Sequence, residues 1–166
     1  MADDIKLYSA QGEGIIDSGY SPTASELLQV VSGSVAVTVG TEVAEVSAGD
    51  FLFIPADLVF RVETVDGPAS VRGFAFERSL VEGNMDNFDG EINYMFYVQS
   101  FSRVVTFTHT HPIYESLCYC MSEAYEEYIS KDVCFRLPVR AYLYLLNAAI
   151  LRYYAGARNE IGRAHV

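Results

Sequence analysis

The sequence is short of positive charge: 11 lysines and arginines stand against 22 aspartates and glutamates, a formal net charge of −11. Nucleic-acid binding draws much of its free energy from cations that replace counterions on phosphates, which excludes this chain, taken alone, as a DNA-binding unit. Long hydrophobic runs are missing too. No stretch approaches the roughly 18 uncharged residues of a membrane span. The N-terminus MADDIKLYSAQGEG carries acids where a signal peptide carries cations, so the expected compartment is the cytoplasm, with no membrane contact. Cysteine is scarce. Cys118, Cys120 and Cys134 are odd in number and lie in one segment, which fits reduced thiols rather than a disulfide framework.

What is present is core-forming material. With 51% hydrophobic and 20% charged residues, 166 residues suffice for one domain, alone or with a helical appendage. The first half is written in short period-2 segments: ELLQVV (26–31), SVAVTV (34–39), TEVAEV (41–46), FLFI (51–54), FRVET (60–64) and SVRGFAFE (70–77). The turn residues SG, Gly40, SAGD, PADLV and DGPA separate them at nearly even spacing. That pattern predicts an all-β sandwich or barrel.

After Arg78 the pattern changes. A polar connection, LVEGNMDNFDG, leads into a stretch to His111 that favours neither helix nor strand. From Pro112 the period is helical, with Tyr114, Leu117, Cys118, Met121, Ala124, Tyr125 and Tyr128 on one face. Pro138 opens a second helix whose stripe is Val139, Tyr142, Leu143, Leu146, Ala149, Ile150 and Tyr153. Its other side is also apolar, at Tyr144, Leu145, Ala148 and Leu151. One surface cannot bury such a helix, which is expected to pack on the barrel and on a second subunit.

Two histidines and two cysteines within HTHPIYESLCYC (109–120) invite a zinc reading. Cys118 and Cys120 lie two positions apart on a helix, about 200° around its axis, and cannot readily chelate one ion. His109 and His111 share a face only if extended, and two ligands rarely suffice. No basic partner stands at a recognisable spacing from Cys118, so covalent catalysis has no support either.

The β half reproduces a known spacing. In the frame G-x5-H-x-H-x3,4-E-x6-G, the matching positions are Gly14, Tyr20, Pro22, Glu26 and Gly33. In G-x5-P-x-G-x2-H-x3-N they are Gly49, Pro55, Asp57, Phe60 and Thr64. These are the two motifs of the cupin superfamily, which the chain resembles in spacing while replacing all three metal-ligand histidines, by Tyr20, Pro22 and Phe60. The resemblance implies a double-stranded β-helix (jelly-roll) barrel. Glu26 alone cannot hold a catalytic ion, so no metal and no cofactor is expected, and the chain is not expected to be an enzyme.

The expected pocket residues are Tyr20, Glu26, Leu28, Phe60 and Val62. By strand alternation Leu28 shares the face of Glu26, and Val62 that of Phe60. Two readings of Phe60 stay open, core filler or the aromatic wall of a ligand cavity. Glu26 is either a hydrogen-bonded structural acid or a pocket carboxylate that binds sugar hydroxyls or a cationic group.

A metal-free cupin barrel followed by two largely apolar helices resembles the N-terminal effector-binding and dimerisation domain of AraC-type transcription regulators. The implied fold is mainly β with a C-terminal helical hairpin. It divides into a barrel at 1–80, a connection at 81–111 and a helical dimerisation region at 112–159. The implied partners are a small-molecule effector, often a sugar in that family, and a second copy contacted through Leu143, Leu146 and Ile150. DNA is reached only through a missing C-terminal helix-turn-helix domain. Residues 161–166, IGRAHV, are what one frame of a widely used short-read sequencing adapter encodes. Residues 160–166 are therefore expected to be a non-native tail, and the regulator truncated. The alternative is a free-standing metal-free cupin that binds a sugar-like small molecule, or, less in keeping with the lost histidines, an isomerase or epimerase.

Overall fold

The computed structural model describes residues 4–77, 80 and 104–164, with side chains described as far as Tyr153. Seven antiparallel strands come first: β1 (Ile5–Gly12), β2 (Ile15–Gly19), β3 (Ala24–Val39), β4 (Glu42–Ser47), β5 (Phe51–Ile54), β6 (Phe60–Glu77) and β7 (Val105–Phe107). Helices α1 (Tyr114–Ser130) and α2 (Arg136–Ala164) follow.

Strands β3 and β6, of 16 and 18 residues, are the frame. The first half of β3 pairs with β5 and with the second half of β6; its second half pairs with β4 and with the first half of β6. Strands β1 and β2 add to the two halves of β6 in turn. This is how a single pair of bent strands rolls a sheet into a jelly-roll barrel.

Four of the short strands expected from sequence are thus two long ones. SG and DGPA do not end strands; they bend them. The ladder between β3 and β6 shifts register between Val30 and Ser34, and Gly33 (φ 74°) sits within that shift. On β6 the bend carries Asp66 (φ 57°) and Gly67 (φ 116°). A Cβ on Gly33 would collide with the Pro68 carbonyl oxygen, so the bend needs glycine there for space as well as for its dihedral.

Alternation divides the strands between two buried faces. Leu28 stands opposite Leu52 and Gly73, and its face forms the barrel interior with Val30, Val35, Val37, Ile54, Val62 and Val71. Leu27 stands opposite Phe53 and Phe74, on the reverse face, where Phe53 and Phe76 meet at 6.3 Å. Gly73 allows the two long strands to approach, because any Cβ there would strike the backbone of Leu27 and Leu28.

Two sequence expectations need correcting. Strands β1 and β2 are absent from the expected set because most of their side chains are partly or fully exposed, leaving no hydrophobic alternation to read. Residues 105–107, which favour neither helix nor strand by pattern, form β7 on β5, so 104–111 group with the described residues up to Leu80 as one compact unit, and the described part of the helical unit starts at Pro112. The remainder of the expected connection, 81–103, lies outside the described residues.

In the helical unit, α1 buries Leu117, Cys120, Met121 and Ala124 at helical spacing, with Cys120 in the place expected for Cys118. It ends at Lys131 in the left-handed conformation (φ 50°), whose N–H closes on the Glu127 carbonyl. Helix α2 packs on α1 and runs unbroken through the position where the helical region was expected to end at 159. Pro138 stands in its first turn, where no N–H is required.

Leu143, Leu146 and Ile150 are buried within the single chain, at 1% exposure or less. They are core, not a surface offered to a second copy. Among the residues of α2 whose side chains are described, the large apolar ones left exposed are Leu137, Tyr144 and Leu145. Helical geometry explains the exchange, since the more continuous apolar stripe is the one used inside the chain.

Candidate functional site

One mouth of the barrel is built where the loop after β5 folds against the segment entering β3. The Ser21 hydroxyl accepts the N–H of Ala24 (2.9 Å), and the Ser21 carbonyl accepts the N–H of Asp57 (2.7 Å). Ser25, buried, accepts the N–H of Ala56 (3.1 Å). Asp57 takes a left-handed backbone (φ 67°) at the place where the cupin frame has glycine, a conformation that Asp tolerates better than most residues. Tyr20 donates its hydroxyl to Asp57 Oδ1 at 2.6 Å across this mouth. That bond, ahead of any burial, raises the Tyr20 phenol pKa.

Behind the mouth lies a cavity of about 160 Å³. Tyr20, Glu26 and Phe60, three of the five expected pocket residues, line it together with Asp17, Ile54 and Leu58. Leu28 and Val62 do not line it. Both are wholly buried in the barrel core, one step deeper along the strands that carry Glu26 and Phe60, where they form its packed floor. Phe60 is 9% exposed and fills both roles, packing on the core with one side and walling the cavity with the other.

Two residues that no sequence signal singles out complete the site. A register shift in β2 between Ile15 and Asp17 sets Asp17 opposite Val62, on the interior face. Tyr8 of β1 stands opposite Gly73 and packs against the interior core. Oxygens of all three acidic groups (Tyr8 Oη, Asp17 Oδ2 and Glu26 Oε2) are buried without a completed hydrogen bond. Burial first, then the Asp17 carboxylate, push the Glu26 carboxyl up to about 7. Burial, and after it the approach of the Tyr8 hydroxyl as a hydrogen-bond donor to the Asp17 carboxylate, raise the Tyr8 phenol well above its ordinary range. No spacing rule points to Asp17 or Tyr8, because cross-strand register alone brings them here.

The family's metal does not fit this chain. Tyr20, Pro22 and Phe60 offer no imidazole, and Glu26 is left as a single carboxylate at those positions. Among the described residues no group of three or more His, Cys, Asp or Glu side chains is placed to hold an ion. His109 and His111 lie in a turn closed by the His111 N–H on the Thr108 carbonyl (2.9 Å), and the His111 ring stacks edge-on against Phe107. No helix among the described residues is long and apolar enough to cross a membrane.

The family model of the cupin domain matches residues 10–74. The fold is accordingly a cupin jelly-roll barrel followed by a helical pair. Among solved structures, apo ToxT from Vibrio cholerae aligns over 93% of this chain with a TM-score of 0.59 and 8% identity. ToxT bound to (E)-4-(8-methylnaphthalen-1-yl)but-3-enoic acid aligns over 92%, at 0.60 and 9%. A putative ethanolamine utilization protein Q from Salmonella typhimurium aligns over 45% of this chain and 58% of its own, at 0.39 and 17%. No curated protein matches. With its helices included, the chain thus resembles the N-terminal domain of AraC-type regulators. It spans 58% of the ToxT chain.

Proposed function

We propose that this chain is the ligand-sensing and dimerisation unit of an AraC-type transcription regulator, and not an enzyme. The observation that carries the reading is the alignment with ToxT over barrel and helices together, at a TM-score of 0.60. The lost metal histidines and the cavity they leave support it. A small molecule enters the mouth beside Tyr20, contacts Glu26 and Phe60, and favours one arrangement of paired subunits over another. A sugar is one ligand whose hydroxyls suit the unpartnered carboxylate oxygens. The exposed apolar residues Tyr144 and Leu145 of α2 serve as the association surface in place of the buried stripe. DNA contact belongs to a domain outside this sequence, in keeping with the net charge of −11.

The test is a thermal-shift screen of the chain against chemically varied small metabolites and divalent metals, followed by light scattering with the best hit. A ligand at 100 times its dissociation constant stabilises the fold by about 2.7 kcal/mol. The expected result is a metabolite that does so and also changes the subunit association. Stoichiometric metal binding with no stabilising metabolite refutes the reading in favour of a cupin enzyme. Metabolite binding with no change in association favours a free-standing binding protein.

A further inference from the structure

We propose that the barrel cavity takes a small organic cation, a protonated amine on a ring-sized apolar body, with Glu26 and Asp17 as its counter-charges; this rests on the sensing reading above. The cavity combines three features that no single residue supplies. First, its acids are not matched by bases: Asp17 and Glu26 line it, and among the described residues no Lys, Arg or His does. Second, Glu26 Oε2 is a buried acceptor with no completed hydrogen bond, whereas Asp17 has the Tyr8 hydroxyl beside it as a donor, and a buried acceptor costs free energy until a donor meets it. Third, the opposite wall is apolar and aromatic, made by Ile54, Leu58 and Phe60.

An ammonium group presents three donors and one positive charge. It donates to the carboxylates of Asp17 and Glu26 and offsets the repulsion between them, with the Phe60 ring in the same lining. A neutral hydroxyl supplies donors but leaves the repulsion in place. A carboxylate adds to it, so the acid bound by ToxT in the form described above is the wrong charge for this cavity. Size limits the body of the ligand. A cavity of about 160 Å³ is close to the roughly 150 Å³ that accommodates a benzene ring.

Benzylamine, benzyl alcohol and benzoate share that body and differ in charge. They are titrated calorimetrically into the intact chain at about pH 8, and into Glu26→Gln, Asp17→Asn and, as control, Glu42→Gln on the exposed strand β4. The expected order is benzylamine tightest, benzyl alcohol about tenfold weaker and benzoate without detectable binding. Glu26→Gln and Asp17→Asn each weaken benzylamine by about tenfold, the loss of one charge-assisted contact. Glu42→Gln leaves it unchanged, which separates the cavity from the general attraction of an acidic chain. Benzyl alcohol or benzoate binding as tightly as benzylamine overturns the cation assignment and leaves the sensing reading standing. Benzylamine binding that ignores both cavity variants overturns it as well. Failure of benzylamine to bind overturns it too, while the sensing reading then stands or falls on its own metabolite screen.

Discussion

Replacing Glu26 by glutamine should stabilise the ligand-free protein, and more so as pH rises. The carboxyl ordinarily titrates near 4.5, and burial beside Asp17 moves it to about 7 in the folded state. Below pH 4.5 the group is protonated in folded and unfolded chains alike and has no pH-linked effect. Between 4.5 and 7 the unfolded chain ionises while the folded one resists, so stability falls. Above 7 both are ionised, and the folded state carries the whole cost, about 3 kcal/mol from the two values. Glutamine cannot ionise, and its amide can donate toward Asp17. The variant should therefore gain about 2–3 kcal/mol over the parent between pH 4.5 and pH 8.5, a midpoint shift of roughly 5–10 °C for a chain of this size. Other carboxylates titrate in both proteins and cancel in the difference. With no tryptophan in the chain, urea unfolding is followed by far-UV circular dichroism at several pH values. A difference between variant and parent that is flat across this range refutes the burial of Glu26 as a charge-disfavouring site.

Further outcomes follow from packing. Gly73→Ala forces a methyl into the Leu27 carbonyl and should cost about 3 kcal/mol or more, read as loss of the cooperative unfolding transition at room temperature. Phe53→Ala removes a wholly buried ring and should cost about 3–5 kcal/mol in urea unfolding. Lys131→Gly relieves a left-handed helix cap and should stabilise the chain by about 0.5–1 kcal/mol in the same assay. Leu145→Glu, on the exposed face of α2, should leave the circular dichroism spectrum unchanged and give a monomer by light scattering, whereas a charge at buried Leu146 should unfold the helical unit.

Much of the site is legible in the sequence. The cupin frame picks out Tyr20, Glu26 and Phe60 because turn residues and spacing locate them, and all three line one cavity. The frame does not separate lining from floor, which is why Leu28 and Val62 are expected in the pocket and lie in the core instead. It is silent on Asp17 and Tyr8, whose arrival depends on a bulge in β2 and on pairing with a strand more than forty residues away in sequence. The helices show the same division. Periodicity locates both, yet it does not say which apolar face of α2 is spent on the chain's own core, since both faces carry enough hydrophobic residues to qualify.

Near neighbours along the chain encode a β half and a helical half, the turn positions, and the absence of imidazoles where the cupin frame holds its metal. It takes the folded chain to show that SG and DGPA bend strands instead of ending them, that residues 105–107 belong to the barrel, and that Asp17 and Glu26 meet in one cavity lining with Tyr8 near them. The reason is physical. Local periodicity and turn chemistry act over a few residues, whereas register, burial and the electrostatics they create are properties of strands brought together from distant parts of the chain.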